Sequence, residues 1–113
     1  MIYHILTFAE WARTSALPFY SPAALAMDGF IHCCDADQLE YVGERHFRGQ
    51  QNLVILCIET DKVTAPIKHE DLNGEGMCFP HVYGMLNTDA VNKVVNFPPS
   101  PDGTFEIPPD IVT

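Results

Sequence analysis

Leu53-Val54-Ile55-Leu56-Cys57-Ile58 is the stretch on which the fold turns. An unbroken apolar run without polar alternation predicts a strand covered on both faces, and therefore a central one. It is far short of the roughly 20 apolar residues a membrane helix needs. Upstream, residues 2–6 read as a first strand. Thr7-Phe8-Ala9-Glu10 has the form of a capping box, with Leu6 and Trp11 at the staple positions, so a helix follows at once and runs to about Leu17, before Pro18. Ser21 as cap and Pro22 at the first helical position predict a short further turn, and Asp28-Gly29 a reversal. Residues 30–34 read as the second strand. Asp35, with Gln38 three residues on, opens the second main helix. Its inner face carries Leu39, Val42 and His46, its outer face a Glu40, Glu44, Arg48 ladder, and Gly49 stops it.

Downstream of the central run the chain turns to strands. Ile67–Glu70 is a short one, and Asp71–Gly76 is a glycine-containing loop and candidate lid. Phe79–Tyr83 is closed by Gly84, and Val91, Val94, Val95 and Phe97 mark a strand near an edge. Phe105 and Ile107 form a brief covering strand in a proline-rich tail. Helices early and strands late predict an α+β fold rather than a doubly wound sheet.

The 113 residues make a single domain over 1–113, with 47% hydrophobic and 19% charged residues, a balance that suits a folded globule. Six Lys and Arg against 15 Asp and Glu leave a formal charge of -9, which repels a phosphate backbone and argues against broad nucleic-acid binding. One small anion in a locally positive site is still compatible with that field. No secretory signal or membrane span is legible, so a cytoplasmic protein is expected. Cys33 and Cys34 are adjacent, too close for a relaxed disulfide, and Cys57 and Cys78 lack CxxC spacing. The four read as small buried hydrophobes in a reducing compartment.

Three of the five histidines sit inside apolar strand segments: His4 in Ile2–Leu6, His32 in Phe30–Cys34 and His81 in Phe79–Tyr83. Alternation places Phe30 and Cys34 on the face of His32, and Phe79 and Tyr83 on that of His81. Burying three imidazoles without partners costs several kcal/mol, so they are expected to share a cleft and a ligand. His32 and His81 are the candidate acid or base, with Glu70, beside the loop, as a candidate general base. His4, Phe30, Cys34 and Tyr83 are the candidate ligand contacts. A zinc site of three histidines is an alternative, although no HxH or HExxH spacing supports it and no metal is expected. A ligand-binding module without catalysis is another.

The stretches Ile2-Tyr3-His4, Trp11, Asp28-Gly29-Phe30-Ile31-His32-Cys33, Gln38, Glu70, Pro80-His81-Val82-Tyr83-Gly84 and Ala90-Val91 resemble, in order and over most of the chain, the family known as domain of unknown function 952. Cys34 stands where that family usually has serine. The family is similar in fold to the ADP-ribosyltransferases, and the resemblance implies a split, mostly antiparallel sheet with two main helices. It further implies a cleft for NAD or a related nucleotide or phosphate ligand, and ribosyl or phosphoryl transfer. His4 matches the first-strand histidine of the transferases. Gly29-Phe30-Ile31-His32 matches their second strand, with Ile31 or His32 in place of tyrosine. His81 stands near the position of the catalytic glutamate, and an imidazole supplies no permanent negative charge to a cationic transition state. Fold likeness alone does not carry activity across.

Overall fold

The computed structural model describes residues 1–111. Its elements are β1 (Ile2–Thr7), α1 (Phe8–Thr14), β2 (Phe19–Tyr20), α2 (Ala23–Asp28), β3 (Ile31–His32), α3 (Leu39–His46), β4 (Leu53–Ile58), β5 (Ile67–Glu70), β6 (Phe79–Val82), β7 (Leu86–Asn87) and β8 (Val91–Asn96). They form three antiparallel sheets, ordered β1-β4-β8, β3-β6-β5 and β2-β7. This is the expected α+β class with few helices.

The apolar run is the centre of the molecule, as its composition demands. All of β4 is buried, with β1 on one side and β8 on the other. Its residues alternate between two cores. Val54, Leu56 and Ile58 pack with Ile2, Leu6, Tyr20, Ile31, Val82 and Leu86, between the large sheet and the smaller ones. Leu53, Ile55 and Cys57 pack on the opposite face with Leu39, Phe97 and Phe105, under α3 and the tail. Each such aliphatic side chain contributes roughly 1.5–3 kcal/mol by leaving water, which makes this strand the largest single anchor of the fold.

Local chemistry sets the helix boundaries. Thr7 caps α1 by accepting from the Glu10 N–H at 3.1 Å. The carboxylate of Glu10 does not return the bond; it accepts from the Tyr20 hydroxyl instead, so only half of the expected box forms. The helix ends at Thr14, earlier than expected, and a turn from the Leu17 N–H to the Thr14 carbonyl leads into Pro18. Pro22, not Ser21, is the cap position of α2, which closes on Gly29 at φ 84°. Asp35 and Gln38 do form both halves of their box, around a 3-10 turn that leads into α3.

Two further expectations are corrected, and one element is new. The second strand is paired with β6 only over Ile31 and His32, because the chain then crosses to bridge β1, Cys34 opposite Tyr3. Phe105 and Ile107 lie in no strand; Phe105 covers the core as an isolated ring, 4.9 Å from that of Phe97. The β2–β7 pair had no readable signal, being two residues on each side.

Phe105 reaches α3 at Gly43, where an added Cβ would lie 2.9 Å from the ring. Gly43→Ala therefore overpacks the core even though alanine favours helix. We expect a loss of about 1–3 kcal/mol, read as a lower urea midpoint at unchanged slope. An unchanged or higher midpoint would show that the tail is not seated on α3.

Candidate functional site

The smaller sheet positions the site. Across β3, β6 and β5 the register sets Ile31, Val82 and Ile67 in one row and His32, His81 and Lys68 in the next. Adjacent residues of a strand point to opposite faces, so a row that buries its aliphatic side chains forces the neighbouring row outward. Ile31 and Val82 are fully buried in the core and Ile67 packs against it. Two imidazoles and an ammonium consequently share the outer face.

Each of these two imidazoles is held by a carboxylate at one nitrogen. His81 Nδ1 lies 2.9 Å from Glu70 Oε1, and His32 Nε2 lies 3.0 Å from Asp28 Oδ2. A carboxylate oxygen can only accept, so these nitrogens carry the protons. The remaining nitrogens, Nε2 of His81 and Nδ1 of His32, have no hydrogen-bond partner among the described residues. His81 as a whole is buried, 5% exposed, and since no fully buried side-chain nitrogen or oxygen among the described residues lacks a partner, its Nε2 keeps only a narrow contact with solvent. The two ring centroids are 5.7 Å apart.

Around this pair the packing is aromatic. Phe30 stacks on His81 with centroids 4.1 Å apart and 25° between planes, and meets the edge of His32 at 4.7 Å. Phe30 is itself buried, so it supports the imidazole from beneath rather than offering an open wall. Tyr83, half-buried, donates its hydroxyl to Glu70 Oε1 at 2.5 Å, and Lys68 Nζ sits 4.8 Å from the Tyr83 ring centroid. Hydrogen bonds from Tyr83 and then His81 hold the Glu70 carboxyl below the usual carboxylate range. The same bond pushes the Tyr83 phenol up. Glu70 is thus a firmly ionised orienting group, already accepting twice.

The expected convergence of three histidines does not occur. His4 lies on β1, facing the inner core opposite Leu56. Its Nδ1 donates to the His32 carbonyl at 2.6 Å, and its Nε2 lies 2.9 Å from the Tyr20 hydroxyl. Both nitrogens are used, so His4 can neither contact a ligand nor bind a metal without breaking the core. Among the described residues no group of three or more His, Cys, Asp or Glu is placed to hold a metal ion. Cys34 is also displaced. The crossing to β1 turns it into the opposite core, where burial pushes its thiol up to about 12. Of the four cysteines, which are all free, only Cys78 is exposed.

The two rings differ in access: the His32 side chain is 58% exposed, that of His81 only 6%, packed against Phe30. Hollows lie elsewhere, one of about 560 Å³ lined by Tyr3, Cys57, Lys93 and Asp110, another of about 450 Å³ lined by Phe8, Asn52 and Asn96. No histidine borders either. The Asp71–Gly76 loop is pinned: Asp71 accepts from the N–H groups of Glu75 and Gly76, and Glu75 bonds Tyr41 and Arg45. Two members of the site, Asp28 and Lys68, escaped the reading of the sequence. Asp28 stands four residues before His32 and Lys68 two before Glu70, spacings that become informative only once both strands are placed.

With fold and site in view, comparison defines the class. The chain belongs to the family described as protein of unknown function (DUF952), whose model matches residues 5–94. Its structure is similar to the crystal structure of protein CC0527 from Caulobacter crescentus, with 34% identity, a TM-score of 0.82 and coverage of 93% of this chain and 92% of that one. The solution NMR structure of CC0527 compares likewise, at 35% identity and a TM-score of 0.79, covering 91% and 89%. No curated protein matches. Among the described residues no helix is long and apolar enough to cross a membrane.

Burial lowers the His4 pKa to about 4 from 6.5, against the opposing pull of the His32 carbonyl. The unfolded chain therefore binds this proton where the folded one does not. Stability from His4 is full above pH 6.5 and is lost as the pH falls toward 4, by on the order of 3 kcal/mol. An NMR titration should find His4 neutral, protonated at Nδ1 only, until the pH nears 4. A His4 that titrates with the exposed histidines would contradict this placement.

Proposed function

We propose that the chain is an ADP-ribosyltransferase-like domain that binds a nucleotide or related phosphate-bearing ligand on the outer face of the β3-β6-β5 sheet. NAD is one candidate, and transfer of a ribosyl or phosphoryl group is the accompanying chemistry. The observation that carries this reading is the cross-strand row His32, His81, Lys68, three nitrogen-bearing side chains brought together by register, with Asp28 and Glu70 behind the two imidazoles. The separation of the β1-β4-β8 and β3-β6-β5 sheets agrees with a split sheet. Tyr83, with Lys68 over its ring, is the available surface for a planar base.

In this reading the carboxylates orient the rings, the open imidazole nitrogens meet phosphate or ribose oxygens, and Lys68 adds charge. Phe30 keeps His81 upright. His4 acts from behind, by holding the His32 backbone through its carbonyl.

A calorimetric and thermal-shift screen of NAD, ADP-ribose and adenosine monophosphates tests the reading. We expect saturable binding by at least one, weakened roughly tenfold to a hundredfold by His32→Ala or His81→Ala, the cost of one charge-assisted hydrogen bond. His46→Ala, on the exposed end of α3, should bind as wild type does. If no nucleotide binds, or if His46→Ala weakens binding as much as His32→Ala, this face is not the site.

A further inference from the structure

Resting on that nucleotide reading, we propose that the site hydrolyses a small ribose phosphodiester, a nucleoside 2′,3′-cyclic phosphate, with His81 as general base and His32 as general acid. The charge of the site separates phosphoryl from glycosyl chemistry. Breaking a ribosyl–nitrogen bond develops positive charge on the sugar and calls for a free carboxylate beside it. The carboxylates here are occupied: Glu70 accepts from Tyr83 and His81, and Asp28 holds His32. Beside those engaged carboxylates stand two imidazoles and Lys68, donors suited to negative charge growing on phosphoryl oxygens.

Acid–base chemistry at phosphorus needs two proton carriers, one empty and one loaded, within reach of the same group. The structure supplies two imidazoles with centroids 5.7 Å apart, each with one nitrogen tied to a carboxylate and the other open. His81 is enclosed, its Nδ1–H fixed on Glu70, and presents a lone pair at Nε2. The His32 side chain is 58% exposed beside Asp28, and in the proposed step it is the loaded carrier. Asp28, Glu70, Lys68 and Tyr83 are the charged or titratable groups around the pair, and His4 contacts His32 from the core side.

The step balances without a further reactant. His81 Nε2 takes a proton from water as the water oxygen bonds phosphorus. The bond from phosphorus to one ring oxygen breaks, and that oxygen takes a proton from His32. The product is a nucleoside monophosphate, and proton exchange with solvent resets both rings. A five-membered cyclic phosphate is the diester this apparatus suits, because release of ring strain assists the opening. The net charge of -9 favours a small monoanion over a polynucleotide.

The test incubates the purified chain with adenosine 2′,3′-cyclic phosphate, follows the product by phosphorus NMR, and measures binding of 2′-AMP and 3′-AMP by calorimetry. We expect monophosphate formation with a bell-shaped pH dependence. His32→Asn should lose turnover by a factor about a hundredfold larger than its loss of monophosphate binding. Glu70→Gln should lower turnover and leave the thermal midpoint close to wild type, separating an orienting role from a structural one. Monophosphates that bind without any hydrolysis of the cyclic diester would overturn the phosphodiester assignment and leave the nucleotide reading standing. Release of nicotinamide from NAD, with the cyclic phosphate untouched, would overturn it in favour of glycosyl chemistry. Turnover that survives in the His32→Asn, His81→Asn double variant would place the activity elsewhere. Absence of both binding and turnover would end both readings.

Discussion

Pairing of β3, β6 and β5 in a single register is the constraint on which the site depends. The aliphatic row of Ile31, Val82 and Ile67 is drawn into the core by loss of its contact with water. A slip of one residue would expose that row and bury the two imidazoles and Lys68, exchanging apolar burial for unpaired polar groups. Hydrophobic burial therefore does the positioning, and the polar face follows from it. Carboxylates on neighbouring elements then fix which nitrogen of each imidazole carries the proton.

The large sheet supplies the rigidity behind this surface. β4 is enclosed on both faces, and β1 beside it carries His4 into the layer between the sheets. From there His4 ties to the His32 carbonyl and the Tyr20 hydroxyl, joining β1, β2 and β3 through one ring. The Nδ1–H must serve the carbonyl, so Nε2 accepts the Tyr20 proton, for which Glu10 at 3.3 Å competes. Burial and the neighbouring Glu10 push the Tyr20 phenol up, which keeps that proton in place. A histidine expected at a ligand thus holds together the elements that present two others.

Legibility in the sequence tracked the length of each signal. The run Leu53–Ile58 announced a central strand because nothing but double-sided burial accounts for six apolar residues without a break. Asp35 and Gln38 announced a helix start because the box needs only local geometry. Alternation found Phe79 and His81 on one strand, with Tyr83 just past its end, but it assumes that a strand continues. Residues 30–34 leave β6 after Cys33, whose N–H still donates to the Pro80 carbonyl, to meet Tyr3, and that long-range bridge sent Cys34 to the other core. Alternation also cannot say which face is the outer one. His4 and His81 both looked half-buried in sequence and both are buried, but only the stacking of sheets shows that His4 has both nitrogens bonded and His81 only one. Lys68 carried no local signal, since its place beside His81 exists only across strands, and Asp28 read as a turn residue although it meets His32 four positions on.

The central claim is that His32 and His81 form a cross-strand pair, each protonated at the nitrogen its carboxylate holds. Long-range nitrogen–proton correlation NMR on imidazole-labelled protein at neutral to mildly alkaline pH reads this directly. The account predicts neutral His81 with its proton on Nδ1, switching to a mixture of forms in Glu70→Gln, and neutral His32 with its proton on Nε2. A His81 protonated at Nε2, or one indifferent to Glu70→Gln, would contradict it.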